Sequence, residues 1–307
     1  MRYLMFMFLL GTSSLLFATT EPTDTLQLSA EEEEAYFLAL YQAYLDSVAT
    51  TLHYRTDTIA LGDGLATLEV PAGFKYVGPE EAEMILTDIW SNPPSLTPSL
   101  GMLFPLEGGP DDLAGYGINI IYADDGHVDD EDAQDIDYDE LLESLIDDTA
   151  AESEMRAEQG YGTVELVGWG SQPYYDAATK KLHWAMELNF DDAPTNTLNY
   201  NIRILGREGY LVLNAIGEMD LLPEIRSNID PILAGVDFQD GQRYADYRPG
   251  VDRLAAYGVG GLIAGKVLAK TGVLAAIGIF LAKAWKLVVL AVIGLAAGFR
   301  KLLGRGE

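Results

Sequence analysis

The chain has 307 residues, 49% of them hydrophobic, no cysteine and a formal charge of −29. That length holds one large or two small cores, and the missing thiols exclude a disulfide framework, a cysteine nucleophile, thiolate-bound zinc and a lipid-bearing cysteine. The charge is lopsided: from Leu254 onward seven Lys and Arg face one acid, Glu307, so that end is +6 and the chain before it −35, a body repelled by nucleic acid and by anionic lipid.

The first residues read MRYLMFMFLLGTSSLLFATT, with Arg2 ahead of an apolar run from Tyr3 to Phe17 and small residues after it. This is a signal-peptide pattern over 1–19, and the run is short for a membrane span. Residues 20–55 form an acidic lead-in. Phe37, Leu38, Tyr41, Tyr44, Leu45 and Val48 recur at helical spacing behind Glu31 to Glu34, where a helix dipole favours acids.

A folded domain is expected over 56–249. Thr58 to Leu61, Ala66 to Val70 and Phe74 to Val77 read as strands separated by Gly-Asp-Gly and Pro-Ala-Gly turns. Pro79 to Trp90 reads as a helix, with proline at its start and Glu80 and Glu81 in its first turn. LGMLFP and YGINIIY read as further strands. The acidic run after them offers Asp129, Asp130, Asp132 and Asp135 as candidates for a loose divalent-cation site. A calcium loop starting at Asp135 fails, because Glu140 stands where glycine is needed and Ile146 where the bidentate glutamate is needed. The plainer reading makes Asp137 an N-cap and Glu140 the partner in a capping box, opening a helix to about Gln159 that Gly160 ends.

The most regular stretch comes next. Val164 to Trp169 reads as a strand. KLHWAMELNF, NTLNYNIRIL and YLVLNAI alternate apolar and polar residues and predict an antiparallel meander with one apolar face. On that pattern His183, Glu187, Asn199, Asn201, Arg203 and Asn214 share the opposite, polar face. A two-residue turn at Glu208-Gly209 sets Arg203 opposite Asn214. A histidine beside a carboxylate suits acid–base work, and an arginine among asparagines suits an anion, so these six are the ligand-binding candidates. A half-solvated sheet also puts polar residues on one face by default. Trp169, Tyr174, Tyr175 and Trp184 bracket the hairpin as core or groove lining. Met219 to Leu233 predicts a helix bent at Pro223 and Pro231, and Val236 to Phe238 a closing strand. No phosphate loop, dinucleotide fingerprint, nucleophile elbow or spaced histidine pair is present, so no catalytic residue and no cofactor is expected.

ATLEVPAGFKY, WSNPP, LGMLFP, GHVDDEDAQDIDYDELL, ELVGWGSQPYYDAATKKLHWAMEL, NTLNYNIRILGREGYLVLNA and GQRYADYRPGVDRLAAYGVGGLIAG together resemble the bacterial family of membrane-anchored proteins called domain of unknown function 2167. Ser91 departs from it, standing where glycine is expected. The resemblance implies an envelope domain with a C-terminal membrane segment and assigns no activity. A weaker likeness is to the PsbP-like fold. It rests on Pro71-Ala72-Gly73-Phe74 after an early strand and on a long meander followed by a helix, and it concerns fold alone. The expected class is α+β, an antiparallel sheet with flanking helices, plus a C-terminal transmembrane helix or helices.

Residues 250–307 are read as the membrane anchor with a basic tail, so the lipid bilayer is the expected partner, together with an envelope protein. Thr271 to Phe299 as one helix would span about 43 Å, longer than the ~30 Å hydrocarbon core, with Lys283 and Lys286 near its middle. Three arrangements remain: a tilted span that buries both lysines against a partner, two segments broken between them, or a surface-lying first half with an inserted second half. The basic tail favours a cytoplasmic C-terminus and a periplasmic body at the bacterial inner membrane. The expected function is a non-catalytic binding or adaptor module. The rivals are an enzyme or small-ligand binder on the face of His183, Glu187 and Arg203, and a divalent-cation-responsive domain using the acidic run.

Overall fold

The computed structural model describes residues 29–90, 92–112 and 115–264. The expected signal peptide and the anchor lysines, Lys283 and Lys286, lie outside the described residues. Helix α1 (Ala30–Ala49) opens on a capping box in which the Ser29 hydroxyl accepts from Glu32 N–H and the Glu32 carboxylate accepts from Ser29 N–H. Strands β1 (Thr58–Leu61), β2 (Ala66–Glu69) and β3 (Phe74–Val77) fall where the turn residues place them. Helix α2 (Pro79–Met84) runs on as a π-helical turn over Ile85–Ile89. Strands β4 (Ser99–Pro105), β5 (Gly117–Ala123) and β6 (His127–Asp129) come next. Helix α3 (Tyr138–Glu158) is capped by the Asp137 carboxylate, which accepts from the N–H of Asp139 and of Glu140; Glu140 supplies its backbone to this cap rather than a side chain.

The meander is β7 (Val164–Asp176), β8 (Lys181–Phe190), β9 (Thr197–Leu205) and β10 (Tyr210–Glu218). β7 continues past Trp169, where bulges let it follow β8 to the turn at Asp176. A 3₁₀ turn at Met219–Leu221 leads into α4 (Leu222–Ala234), with Pro223 in its first turn and Pro231 inside it. The order in the main sheet is β3-β4-β5-β10-β9-β8-β7, antiparallel throughout. Strand β11 (Val236–Phe238) does not close it. It pairs with β2 in a separate three-stranded sheet, β1-β2-β11.

Both faces of the main sheet are packed, which departs from the single apolar face expected. One, here face A, carries Leu103, Ile118, Ile120, Leu198, Tyr200, Ile202, Leu211 and Leu213. It is covered by α4 through Ile225, Ile229 and Ile232 and by Ile59, Leu61 and Leu68 of the small sheet. The other, face B, holds two separate clusters. At one end Val77, Met102 and Phe104 meet Leu45, Val48 and Ile85 of the α1–α2 corner. At the other, Leu166, Leu182 and Trp184 meet Leu145 of α3. Each such Leu or Ile removed from water contributes about 2 kcal/mol, so a sheet with helices on both sides gains more than a half-solvated one.

The folded body also runs past residue 249. β12 (Leu254–Gly258) pairs in parallel with β6, and α5 (Val259–Ala264) buries Val259, Leu262 and Ile263 in the second face-B cluster. Arg207 and Asp252 pin this strap by a two-pronged pair at 2.7 and 2.6 Å, with only 2% of the Asp252 side chain exposed. His127 stacks on Tyr247 at 3.8 Å and lies 4.3 Å from the Tyr244 ring. Among the described residues no helix is long and apolar enough to cross a membrane.

Candidate functional site

In an antiparallel pair, residues directly opposite share a face. His183 stands opposite Ile202, Ala185 opposite Tyr200 and Glu187 opposite Leu198, whereas Trp184 stands opposite Asn201 and Leu182 opposite Arg203. The six residues expected on one polar face are therefore divided. His183 and Glu187 lie on face A. Asn199, Asn201, Arg203 and Asn214 lie on face B. Arg203 stands opposite Val212, and Asn214 opposite Asn201. The β9–β10 connection is a four-residue loop, Gly206 to Gly209, closed by a 2.8 Å Gly206 N–H to Gly209 O bond. That moves the register by two residues from a two-residue turn and leaves the faces of these strands unchanged.

The His183 half is enclosed. The imidazole is 4% exposed, stacks on Tyr174 at 4.6 Å with the rings 2° from parallel, and leaves Nδ1 without a partner. Burial pushes its pKa down to about 4. Glu187 accepts from Asn196 of its own hairpin loop at 2.5 Å, so it holds that loop.

The other half makes a continuous row. Met102, Asn119, Asn214, Asn201 and Trp184 lie side by side across β4, β5, β10, β9 and β8 on face B. They bridge the gap between the two apolar clusters. One register step along, Ile121, Val212 and Arg203 form the next row. Asn199, Arg203, Asn214, Val212 and Ile216 are half-buried, and Asn119 and Asn201 are buried. The Arg203 guanidinium lies 4.6 Å over the Trp184 ring, a cation–π contact. Its Nη1 donates to Asn201 Oδ1 at 3.3 Å and to Ile202 O at 3.2 Å. Asn201 Nδ2 donates to Asn199 Oδ1 at 2.7 Å, and Ser99 Oγ donates to Asn119 Oδ1 at 2.6 Å. Arg203 Nε, Trp184 Nε1 and Asn214 Oδ1 have no partner. Arg203 makes no ion pair among the described residues, and burial pulls its pKa down to about 10.

Asn119 and the indole N–H of Trp184 were not among the candidates. Asn119 carries a readable signal, the one polar residue in GINIIYA. Trp184 does not, because its stacking on Arg203 depends on which parity of β9 faces β8.

The acidic run does not form one ion-binding cluster. Asp129 accepts from Glu131 N–H at 2.9 Å. Asp130 accepts from Lys180 at 2.6 Å, Tyr175 at 2.8 Å and Tyr244 at 3.0 Å. Burial pulls the Asp130 carboxyl up, and those three bonds overcome it and hold it below its ordinary value. Asp132 turns to the strap and accepts from the N–H of Val259 and Gly260 at 2.8 and 3.3 Å. Asp135, at the end of a 3₁₀ turn, gives its N–H to Asp132 O. No group of three or more His, Asp or Glu arranged to hold a metal occurs among the described residues.

The family model described as "Protein of unknown function (DUF2167)" matches residues 53–293, most of the chain. The chain belongs to that family. The matched span takes in all seven strands of the main sheet, both halves of the divided polar set and the strap. No curated protein matches the chain. Among solved structures it is similar to "Solution Structure of Cyanobacterial PsbP (CyanoP) from Synechocystis sp. PCC 6803", at 12% identity, with 60% of this chain and 94% of that one covered and a TM-score of 0.32. A likeness at that score adds nothing to the fold described above.

Proposed function

We propose that this member of the family is a non-catalytic binding module of the bacterial envelope. Its body stands in the periplasm, its C-terminal segment is held in the inner membrane by a single crossing, and its C-terminus is cytoplasmic. The observation that carries the binding role is the row of Asn119, Asn214, Asn201 and Trp184 with Arg203 beside it, between two apolar clusters: Asn119, Asn201 and Trp184 are buried, Asn214 and Arg203 are half-buried, and Trp184 Nε1, Arg203 Nε and Asn214 Oδ1 are enclosed with their hydrogen bonds unmade. Polar groups that a fold buries without satisfying lower its stability, and a bound partner removes that penalty.

The tether reading draws on the sequence beyond Ala264, apolar with a basic tail, and on the strap just before it. Asp132 receives the first turn of α5 and Asp252 receives Arg207, so the chain leaves the body from a docked helix rather than a loose linker. A catalytic site joining His183, Glu187 and Arg203 has no such support, since the sheet stands between them. A cation-responsive role for Asp129, Asp130, Asp132 and Asp135 has none either, since these residues bond to different neighbours.

The test is photocrosslinking in intact cells. A benzophenone amino acid at Asn199, on face B, is expected to give a discrete higher-mass adduct that the same probe at exposed Glu158 on α3 does not. The same adduct pattern from both positions, or none from Asn199, removes the binding reading.

A further inference from the structure

We propose that the turn at Arg248 to Val251, together with Leu254, is a contact surface for the lipid headgroup layer of the membrane that holds the chain; this rests on the tether reading above. The sequence builds the turn. Pro249 fixes its first central position, and Gly250 takes a φ of +78° at the second, so Arg248-Pro249-Gly250-Val251 is a type II turn, closed by a 3.0 Å bond from Val251 N–H to Arg248 O. Asp252 fixes it to the body. Its carboxylate accepts from the Arg248 N–H at 2.7 Å and from both prongs of Arg207. Val251, at the tip, is 76% exposed, and Leu254 is 54% exposed. Asp252 and Ala255 beside them turn inward. The fold thus holds two apolar side chains out in water on a turn that is already ordered, so a surface that takes them in costs little further conformational entropy.

Single exposed apolar residues are ordinary, and it is the position of these two that points to lipid. Leu254 opens β12, from which the chain passes through α5 to Ala264 and on into apolar sequence. A strand and a helix that short cover no more than about 25 Å, inside the width of roughly 45 Å expected for a folded body of this size. A body whose chain enters the bilayer there carries the turn over the headgroups. The local charge agrees. In a chain of −29, residues 243–254 hold three Arg against two Asp, and Arg207 neutralises Asp252. Arg248 and Arg253 are exposed on either side of Val251. Apolar side chains flanked by arginine suit the headgroup layer, where the first reach the acyl boundary and the guanidinium stays with the phosphates. The acidic remainder of the body opposes this weakly, since charges beyond about 8 Å are screened. Two side chains on a turn fall far below the ~800 Å² that a stable protein interface takes from each partner. They suffice for a bilayer, because the tether already keeps it at hand.

The experiment uses the full-length chain reconstituted into liposomes of phosphatidylethanolamine and phosphatidylglycerol, with and without bromine on the acyl chains. The chain has no cysteine, so Val251→Cys, Leu254→Cys and Leu96→Cys each carry a single bimane label. Leu96, fully exposed in the loop before β4, is the control for an apolar residue elsewhere on the body. Brominated lipid is expected to quench the label at 251 and 254 at least about threefold more strongly than at 96. Val251→Asp, added to Leu254→Cys, should bring the quenching at 254 down to the level at 96. Equal quenching at 96 and 251, no quenching at 251 and 254, or quenching at 254 that Val251→Asp leaves unchanged overturns the proposal. Flotation of the same liposomes separates the contact from the tether. A chain that floats while its turn stays unquenched keeps its membrane segment and lacks the contact; a chain that does not float lacks both.

Discussion

His183 carries an acid-sensitivity that can be stated with its sign. The ring is almost fully enclosed, and burial lowers its pKa to about 4 from an ordinary value near 6.5. Between those values the unfolded chain binds a proton that the folded chain does not, so stability falls as pH drops through that window and is intact above it. The full shift is worth about 3 kcal/mol, lost by the time the pH reaches about 4. Urea unfolding at pH 7 and pH 4.5 should show a steep loss in the wild type. His183→Gln should show a shallower one, because its amide does not titrate. Equal losses in the two proteins would mean that the imidazole is protonated in place. The orphaned Nδ1 favours the shift, since no acceptor waits there to hold a proton on the charged ring.

At the scale of elements, the strap is the part of the fold most open to test. β12 and α5 are held by three unlike devices: the Arg207–Asp252 pair, the Asp132 cap and the apolar contacts of Val259, Leu262 and Ile263. The Asp252 carboxyl is held far below the usual carboxylate range, chiefly by its bonds from Arg207. Its contribution is therefore present above the ordinary carboxylate pKa and is lost only in strong acid. Asp252→Asn removes the charge and one good acceptor. Hydrogen exchange should quicken across 248–264 while the central strands β5, β9 and β10 keep their protection. Unchanged exchange in that segment would leave the apolar contacts as the whole anchor of the strap.

Elements were also where the sequence was most and least readable. The early strands and their turns, the helix N-cap at Asp137 and the clean alternation of β8 and β9 were legible, because each is set by residues a few positions apart. The pairing of alternation between strands was not. NFDDAPTNT between β8 and β9 can return the chain with either parity, and the one found places His183 opposite Ile202. A single polar face requires that all apolar sets face one core, as in a half-solvated sheet. With helices on both sides that requirement lapses, since Leu182 and Trp184 find α3 while Ile202 and Ile204 find α4 and the small sheet. Most of the candidate site, Asn199, Asn201, Arg203 and Asn214, kept a common face because β9 and β10 shifted by an even number. The strap was hidden for another reason: Leu254 to Ala264 reads as the beginning of an apolar run, and only its contacts with β6 and Asp132 set it apart from the apolar sequence beyond Ala264.

For the whole molecule, the lack of cysteine turns topology into a direct measurement. Any cysteine introduced is the only thiol, so labelling by a membrane-impermeant maleimide reports one position at a time. Glu158 is exposed on α3, on the folded body, and Glu307 ends the chain. A periplasmic body with a single C-terminal span predicts that Glu158→Cys labels fully in spheroplasts and that Glu307→Cys labels only after lysis. Two segments broken between Lys283 and Lys286 bring the C-terminus back to the periplasm, so Glu307→Cys would label in intact spheroplasts and Lys283→Cys would need lysis. A single tilted span leaves Lys283→Cys and Lys286→Cys shielded in both conditions, because each lysine then lies at bilayer depth against a partner. The result bears on the binding role as well. A tilted span with two enclosed lysines implies a second, acidic membrane segment, and the docked strap would then transmit its position to face B through α5 and the Trp184 cluster. Label at Glu158→Cys that appears only after lysis would place the body in the cytoplasm and overturn the envelope reading entirely.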